Sequence, residues 1–511
     1  MTRFFRLGVM TMALLVVLAA AGSRPAAVAG AAPPAEWPAY GQGPEHAGNT
    51  PDRLGSVLLQ RWSAAFGVSV QGAPVVAGGT VFFGADDRVL RALAVDDGQV
   101  RWTFTATGLL RSAPVVADGQ VWVTDFDGRT YALRAADGLL LWDVALGGRT
   151  GASPVIADGN LYVATALGTV YAIEPETGAV RWKVEVGLPI WSSPAAGGGR
   201  VYVEDYAGGV HALESSDGHQ AWAYQTDGEL RMSPALCGGK LIVASSSYDR
   251  GGLVALDARA GTVLWTRSIS GNNLWSAPTI APLPDGRVFV LAGNLGWLYA
   301  FNLETGGLVW NTHMIPQKFG GRAKYPTMMT PVAGGDHVYV GAYYAVDLPS
   351  AIYSFNLEDG RLLWTSPAAG KIATPPAYAD GTVYFGSYDG RAYAYSPVRV
   401  FIGEQEVDFG DLSPVIQANR SLVPFRALFE AVGATVAWDQ AAQRVMAKRG
   451  EHIIEMTVGQ TSATVDGRSV ILEVPPAVVN QRTLVPLRFV AEALGELKWD
   501  QTHLRVDITL R

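Results

Sequence analysis

Tryptophan returns on a forty-residue beat: Trp62, Trp102, Trp142, Trp182 and Trp222 stand 40 apart, and Trp265, Trp310 and Trp364 follow at 43, 45 and 54. Proline keeps a parallel series at Pro74, Pro114, Pro154, Pro194, Pro234, Pro278, Pro331 and Pro376. Self-similarity of this period means stacked units, none of which can bury a core alone. Each unit holds short apolar runs such as Val81-Phe82-Phe83, Val121-Trp122-Val123 and Leu161-Tyr162-Val163, bounded by Gly-Gly or Asp-Gly turns. Such runs are strands, and because they are continuous rather than alternating, their sheets are covered on both faces. Four short strands per forty residues predict a mainly β chain, an eight-bladed β-propeller over residues 36–397.

The last unit, ATPPAYADGTVYFGSYDGRAYAY, stops without a fourth strand or a tryptophan, whereas VLLQRWS, containing Trp62, has no preceding strands of its own. The N-terminal segment is therefore expected to complete the final sheet and close the ring, which leaves no free edge. A small residue lies ten places before each tryptophan from Trp102 on: Ala92, Ala132, Ala172, Ala212, Ala255, Ala300 and Ser354. A glycine lies four places before: Gly98, Gly138, Gly178, Gly218, Gly261, Gly306 and Gly360. The glycine suits a turn with positive φ, and the indole fills the gap between neighbouring sheets. All eight tryptophans are thus assigned structural docking. At ~150–250 Å² hidden by each, burial contributes at most roughly 4–6 kcal/mol apiece.

The stretch VYAIEPETGAVRW, Val170 to Trp182, resembles the tryptophan-docking motif A-x-D-x-x-T-G-x-x-x-W of the quinoprotein dehydrogenase propellers, departing only at Glu174. The resemblance runs from about Trp37 to Tyr395, although Ala94, Arg134, Glu214, Asn302 and Asn356 replace the aspartate elsewhere. It implies a PQQ-like propeller. Enzymes of that family clamp pyrroloquinoline quinone between a tryptophan and a disulfide of two adjacent cysteines, over a calcium ion. Cys237 is the only cysteine here, so that clamp cannot form, and no C-x-x-C-H haem site is present. No cofactor, metal or catalytic residue is expected, and a dehydrogenase using PQQ with calcium in an atypical site is the alternative. The lean units are similar to those of non-catalytic relatives, including an outer-membrane assembly lipoprotein whose anchoring cysteine has no counterpart here.

Because strands alternate in direction, the loop entering each unit and the loop between its second and third strands open on one face. These loops supply the candidate rim-binding residues Gln71, Arg111, Asp125, Trp191, Glu204, Asp205, Arg231 and Trp275. Two arginines and two indoles suit an anionic or planar ligand, or a partner's loop. Aromatics beside carboxylates would also suit an envelope saccharide. The basic insertion Met314 to Lys324 reads as a solvated loop, with guarding the same mouth as the alternative. The seven histidines form no H-x-H or H-E-x-x-H pattern.

After Tyr395 a different repeat begins: RSLVPFRALFEAVGATVAWD from Arg420 is echoed by RTLVPLRFVAEALGELKWD from Arg482. Pro424 and Pro486 mark first helical positions, Gly433 and Gly495 mark stops, and a strand with Trp438 or Trp499 follows each helix. Between them HIIEMTVGQTSATVDGRSVIL reads as strand, turn, strand. Residues 398–511 resemble the N-terminal domain of copper amine oxidases, a small α+β unit, which implies attachment or spacing rather than copper chemistry. Arg426 and Arg488 match that pattern and are expected to form structural salt bridges.

Arg3 and Arg6 precede the apolar run LGVMTMALLVVLAAAG and the small residues AAVAGAA. This reads as a signal peptide over residues 1–31, too short for the ~20 residues of a comfortable span; an uncleaved anchor is the alternative. A net charge of −7 excludes a basic nucleic-acid surface. The sequence therefore predicts a secreted or cell-envelope, non-enzymatic binding scaffold. It is expected to be monomeric, with no membrane span after signal cleavage, and to take an unknown protein or an envelope polymer as partner.

Overall fold

The computed structural model describes residues 36, 38–50, 58–246, 251–269, 276–294, 296–313, 326–344, 350–367, 370–409, 414–417, 420–479, 482–500 and 503–510. The signal segment, Trp37, Trp275 and the insertion Met314 to Lys324 lie outside them.

From Leu59 to Ser396 the described chain forms successive antiparallel sheets, most of four strands, an arrangement consistent with a propeller. Each sheet has a short inner strand, in order Val75–Ala77, Val115–Ala117, Val155–Ala157, Ala195–Gly197, Ala235–Cys237, Thr279–Pro282, Val332–Gly334 and Ala377–Ala379. Inner strands of consecutive sheets lie side by side from the first to Val332–Gly334, and Ala377–Ala379 lies against Val75–Ala77. The strand Leu59–Ala65 pairs with Arg391–Ser396, setting Trp62 opposite Ala394. The chain's beginning thus supplies the outer strand that its last unit lacks.

Every docking tryptophan stands opposite the small residue of its own sheet: Ala92 faces Trp102, Ala172 faces Trp182, Ala300 faces Trp310 and Ser354 faces Trp364. A larger side chain there would occupy the space of the indole. The indole then reaches into the following sheet. Nε1 of Trp62, Trp102, Trp142, Trp182, Trp222, Trp265 and Trp310 donates to the carbonyls of Val95, Ala135, Pro175, Ser215, Ala258, Leu303 and Leu357, at 2.8–3.1 Å. The glycine of that following sheet lies flat on the ring, with φ between 63° and 76° at all seven positions from Gly98 to Gly360. A Cβ on Gly178 would sit 2.7 Å from Cε3 of Trp142. The glycine is needed twice, for its left-handed turn and for the indole beneath it. Its amide also closes the turn onto the residue four before, as in Gly178 to Glu174 and Gly138 to Arg134. Because the backbone makes that bond, the motif's aspartate can be replaced by Ala94 or Arg134 without loss of the turn.

The segment Pro38 to Thr50 crosses the inner strands. Carbonyls of Pro38, Pro44, Glu45, Ala47 and Gly48 accept from the amides of Val116, Ala196, Leu236, Ile280 and Ala333, at 2.7–3.1 Å. Each donor is the second residue of an inner strand, whose outward amide has no neighbour in its own sheet. Asn49–Thr50 adds two parallel pairings to Val332–Gly334. His46, at φ 54°, is buried against the edge of Tyr40 with ring centroids 5.1 Å apart. This strap satisfies five edge amides and was not foreseen in the sequence.

The tail builds its own core from Val400, Phe425, Leu428, Phe429, Val485, Val490 and Ile508. Its repeats meet antiparallel, Val423 facing Val485, through the strands Arg420–Pro424 and Arg482–Pro486. The helices are Phe425–Ala431 and Leu487–Leu494, so each proline is the capping residue just before the helix rather than its first member. Gly433 takes φ 76° past the first helix, whereas Gly495 is extended and enters the strand Gly495–Asp500 directly. The intervening segment forms three strands, His452–Thr457, Ser462–Val465 and Arg468–Ile471, instead of two. The Asp-Gly of residues 466 and 467 adds a second hairpin.

Candidate functional site

The loops predicted to share one face bring candidates together across the first five sheets. Asp86 collects two candidate residues: Arg111 donates through Nε and Nη2 at 2.8 and 3.1 Å, and Gln71 donates through Nε2 at 2.7 Å. This pairing holds the Arg111 guanidinium still more firmly protonated than usual. The same guanidinium lies 5.5 Å from the ring of Phe126, which is stacked at 6.4 Å and 25° on Trp191. Arg149 approaches Phe126 as well, at 5.8 Å. Arg111 and Trp191 are therefore brought together through a phenylalanine between them.

Arg231 joins another pair, donating to Glu229 at 2.7 Å and to the Tyr206 hydroxyl at 2.6 Å, with its guanidinium 5.0 Å from the tyrosine ring. The Tyr206 amide bonds the Pro189 carbonyl, tying this cluster to the loop that carries Trp191. Leu167 and Leu188 are 67% and 45% exposed and Trp191 is 39% exposed. The Leu167 loop bonds the carbonyl of Arg149. Aromatic, aliphatic and arginine side chains thus stand on neighbouring loops that main-chain hydrogen bonds join.

Three candidates lie inside the fold rather than on this surface. Asp125 is buried, and its carboxylate accepts from Thr107 Oγ1, the Tyr131 hydroxyl and the amides of Gly108, Asp127 and Arg129. That set exhausts a carboxylate's acceptor capacity, so Asp125 organises its loop. Asp205 is buried too, accepting from the amides of Ala207 and Gly209 and lying 3.0 Å from His211 Nε2. Glu204 ends the strand Arg200–Glu204; both its oxygens are buried with no hydrogen-bond partner among the described residues, and burial pushes its carboxyl well above the usual range.

At the next positions along, Asp86, Phe126, Ala166 and Tyr206 are half-buried and Tyr388 is exposed, each following a buried residue. Sequence reasoning stopped one residue short at Asp125 and Asp205. The available signal was the aromatic at Phe126, Tyr206 and Tyr388, in a place where a turn needs none.

The residues do not fit the quinone clamp that the repeat motif brings to mind. Cys237, half-buried on an inner strand with its thiol pushed up by burial, has no second cysteine to pair with. Among the described residues no three His, Cys, Asp or Glu side chains are grouped as metal ligands. None of their helices is long and apolar enough to cross a membrane.

Comparison with known proteins matches two family models to the chain. Residues 59–153, 127–316 and 294–400 match the family model described as outer membrane protein assembly factor BamB, and residues 401–508 match the copper amine oxidase N-terminal domain. BamB of Yersinia pestis is 28% identical over 223 residues, which are 43% of this chain and 54% of that protein. The chain thus spans about half of that relative. BamB from Moraxella catarrhalis superimposes with a TM-score of 0.55 at 21% identity, covering 66% of this chain and all of that one. Quinohemoprotein alcohol dehydrogenase from Comamonas testosteroni gives 0.57 at 15% identity, over 71% of this chain and 80% of its own.

Proposed function

This chain belongs to the PQQ-type repeat family described as outer membrane protein assembly factor BamB, and from that premise we propose that it is an exported, non-enzymatic scaffold of the cell envelope. In this reading residues 36–397 form a monomeric ring of eight blades closed by the strand of Trp62. Residues 398–511 are the module that attaches or spaces it. The name of the relative speaks for a protein partner. No cofactor is assigned, because a solitary Cys237 supplies neither the disulfide nor any substitute for it.

The observation that carries the proposal is the surface around Phe126. Tryptophan, tyrosine and arginine are the residue types that dominate binding energy at protein interfaces. Here they surround exposed Leu167 and Leu188. Arg149 is exposed, and among the described residues its guanidinium meets the Phe126 ring without a carboxylate in salt-bridge range, whereas Arg111 and Arg231 already have carboxylates. The fitting partner is a protein loop that brings an apolar side chain to Leu167 and a carboxylate to Arg149.

The test is a photo-crosslinking residue at Leu167 in the full chain, expressed in the producing cell. One discrete protein adduct is expected, lost with Arg149→Glu and with Trp191→Ala. An adduct unchanged by both substitutions would overturn the assignment of this surface. Dye reduction with alcohols or sugars, after loading purified protein with pyrroloquinoline quinone and calcium, would overturn the non-enzymatic reading.

A further inference from the structure

The tail has a groove of 580 Å³ beside its first helix, within the ordinary size of a small-ligand site. Its floor is apolar and buried, formed by Phe409, Phe425 and Val445. One wall is the indole of Trp438, 36% exposed, with Val478 continuing the apolar face at 50% exposure. The indole is held at its nitrogen, Nε1 donating to Gln440 Oε1 at 2.7 Å, while Gln443 Nε2 donates to the Gln440 main-chain carbonyl at 2.9 Å. The rim adds Asp408, Arg426, Glu430 and Arg482.

We propose that this groove binds a neutral carbohydrate chain. Two carboxylates and two guanidinium groups cancel, so the site has no net charge with which to select an ion. A half-exposed aromatic face gives an apolar flat surface, and the amides and charged groups around it give donors and acceptors on both sides. A pyranose presents those two aspects together: a face of C–H groups for the indole and a girdle of hydroxyls for the polar rim. A peptide is the competing occupant, since the strand Thr435–Asp439 pairs only with Arg444–Arg449 and is the edge of its sheet; an added peptide strand would use those main-chain groups, however, and leave unused the aromatic face and mixed polar rim that the groove presents. The proposal deepens the attachment role read for the tail and says what is held, an envelope or extracellular glycan.

The test uses the full chain in calorimetry with chitotetraose, cellotetraose and xylotetraose, and in sedimentation with purified peptidoglycan sacculi. Binding to at least one is expected, weakened about tenfold or more by Trp438→Ala, retained in part by Trp438→Phe, and unchanged by Trp499→Ala. Trp499 is the matching indole of the second repeat and serves as the control for folding and for non-specific stacking. Thermal unfolding of each variant checks that the tail remains folded. Absence of binding to all four probes, binding indifferent to Trp438→Ala, or preference for an acidic peptide over every glycan would each overturn the proposal. Cell fractionation of the same variants reads attachment independently, so a tail that anchors the chain through some other surface would be distinguished from an empty groove.

Discussion

Alanine substitution at two glycines of one sheet separates the indole clasp from the turn that carries it. Gly119 and Gly138 have nearly the same backbone, φ 72° and 73°. A Cβ on Gly119 would meet nothing within 4 Å, whereas one on Gly138 would lie 2.5, 2.8 and 3.0 Å from Cε3, Cδ2 and Cζ3 of Trp102. Both variants incur the left-handed penalty, roughly 1–2 kcal/mol, and both gain the same small amount from a stiffer unfolded chain. Only Gly138→Ala must also displace a ring that is 9% exposed and held by the Ala135 carbonyl at 2.9 Å. Overpacking of this kind costs ~1–3 kcal/mol, so Gly138→Ala should be destabilised by roughly 2–5 kcal/mol in all. Urea midpoints followed by near-ultraviolet circular dichroism give the comparison, and a Trp102→Leu background should erase most of the difference. Equal midpoints for the two glycine variants would refute the clasp.

Two buried groups give opposite pH signatures. Glu204 has a raised pKa because it is enclosed without partners among the described residues, so the folded state holds its proton longer and stability falls as pH rises above the ordinary glutamate value, by up to ~1.4 kcal/mol per unit; Glu204→Met should remove that slope and raise the urea midpoint at pH 7 more than at pH 5. His46 is held neutral by burial, its pKa lowered to about 4 from 6.5, so the folded state resists protonation and stability is lost as pH falls through that window. His46→Phe should flatten midpoints measured between pH 6.5 and 4, and a slope identical to that of the parent chain would show that the strap stays open to water.

The repeat was legible because its physics is local. Alanine, glycine and tryptophan sit within ten residues of one another, and each serves a task fixed by the strand and turn around it, so Ala172, Gly178 and Trp182 could be assigned from spacing. Spacing did not reveal the partner of each glycine: Gly178 covers Trp142, thirty-six residues upstream, rather than the Trp182 of its own unit. The strap escaped because Pro38 to Thr50 has no periodicity and acts through main-chain carbonyls, which every residue carries. At the rim, residue type was a poor guide to direction. Asp125, Glu204 and Asp205 look like surface carboxylates in the sequence, yet all three are buried: Asp125 and Asp205 accept amide hydrogen bonds in their turns, and Glu204, at a strand end, receives none among the described residues.

Every member of the docking motif has its work inside the ring of sheets: the alanine makes room, the glycine covers, and the indole donates to a neighbouring carbonyl. None of these atoms faces the loops at the mouth. A chain can therefore keep the whole motif while its mouth takes on any chemistry, and the fold alone does not carry a cofactor from one member to another. What differs between units is the residue that follows each buried loop position, here Asp86, Phe126, Ala166, Tyr206 and Tyr388. Those five side chains stand in turns between strands, the first four forty residues apart, and none of them is a member of the docking motif. Specificity can change at such positions while the inter-sheet wedges stay in place, which is the physical reason to look for the proposed partner there rather than along the forty-residue repeat.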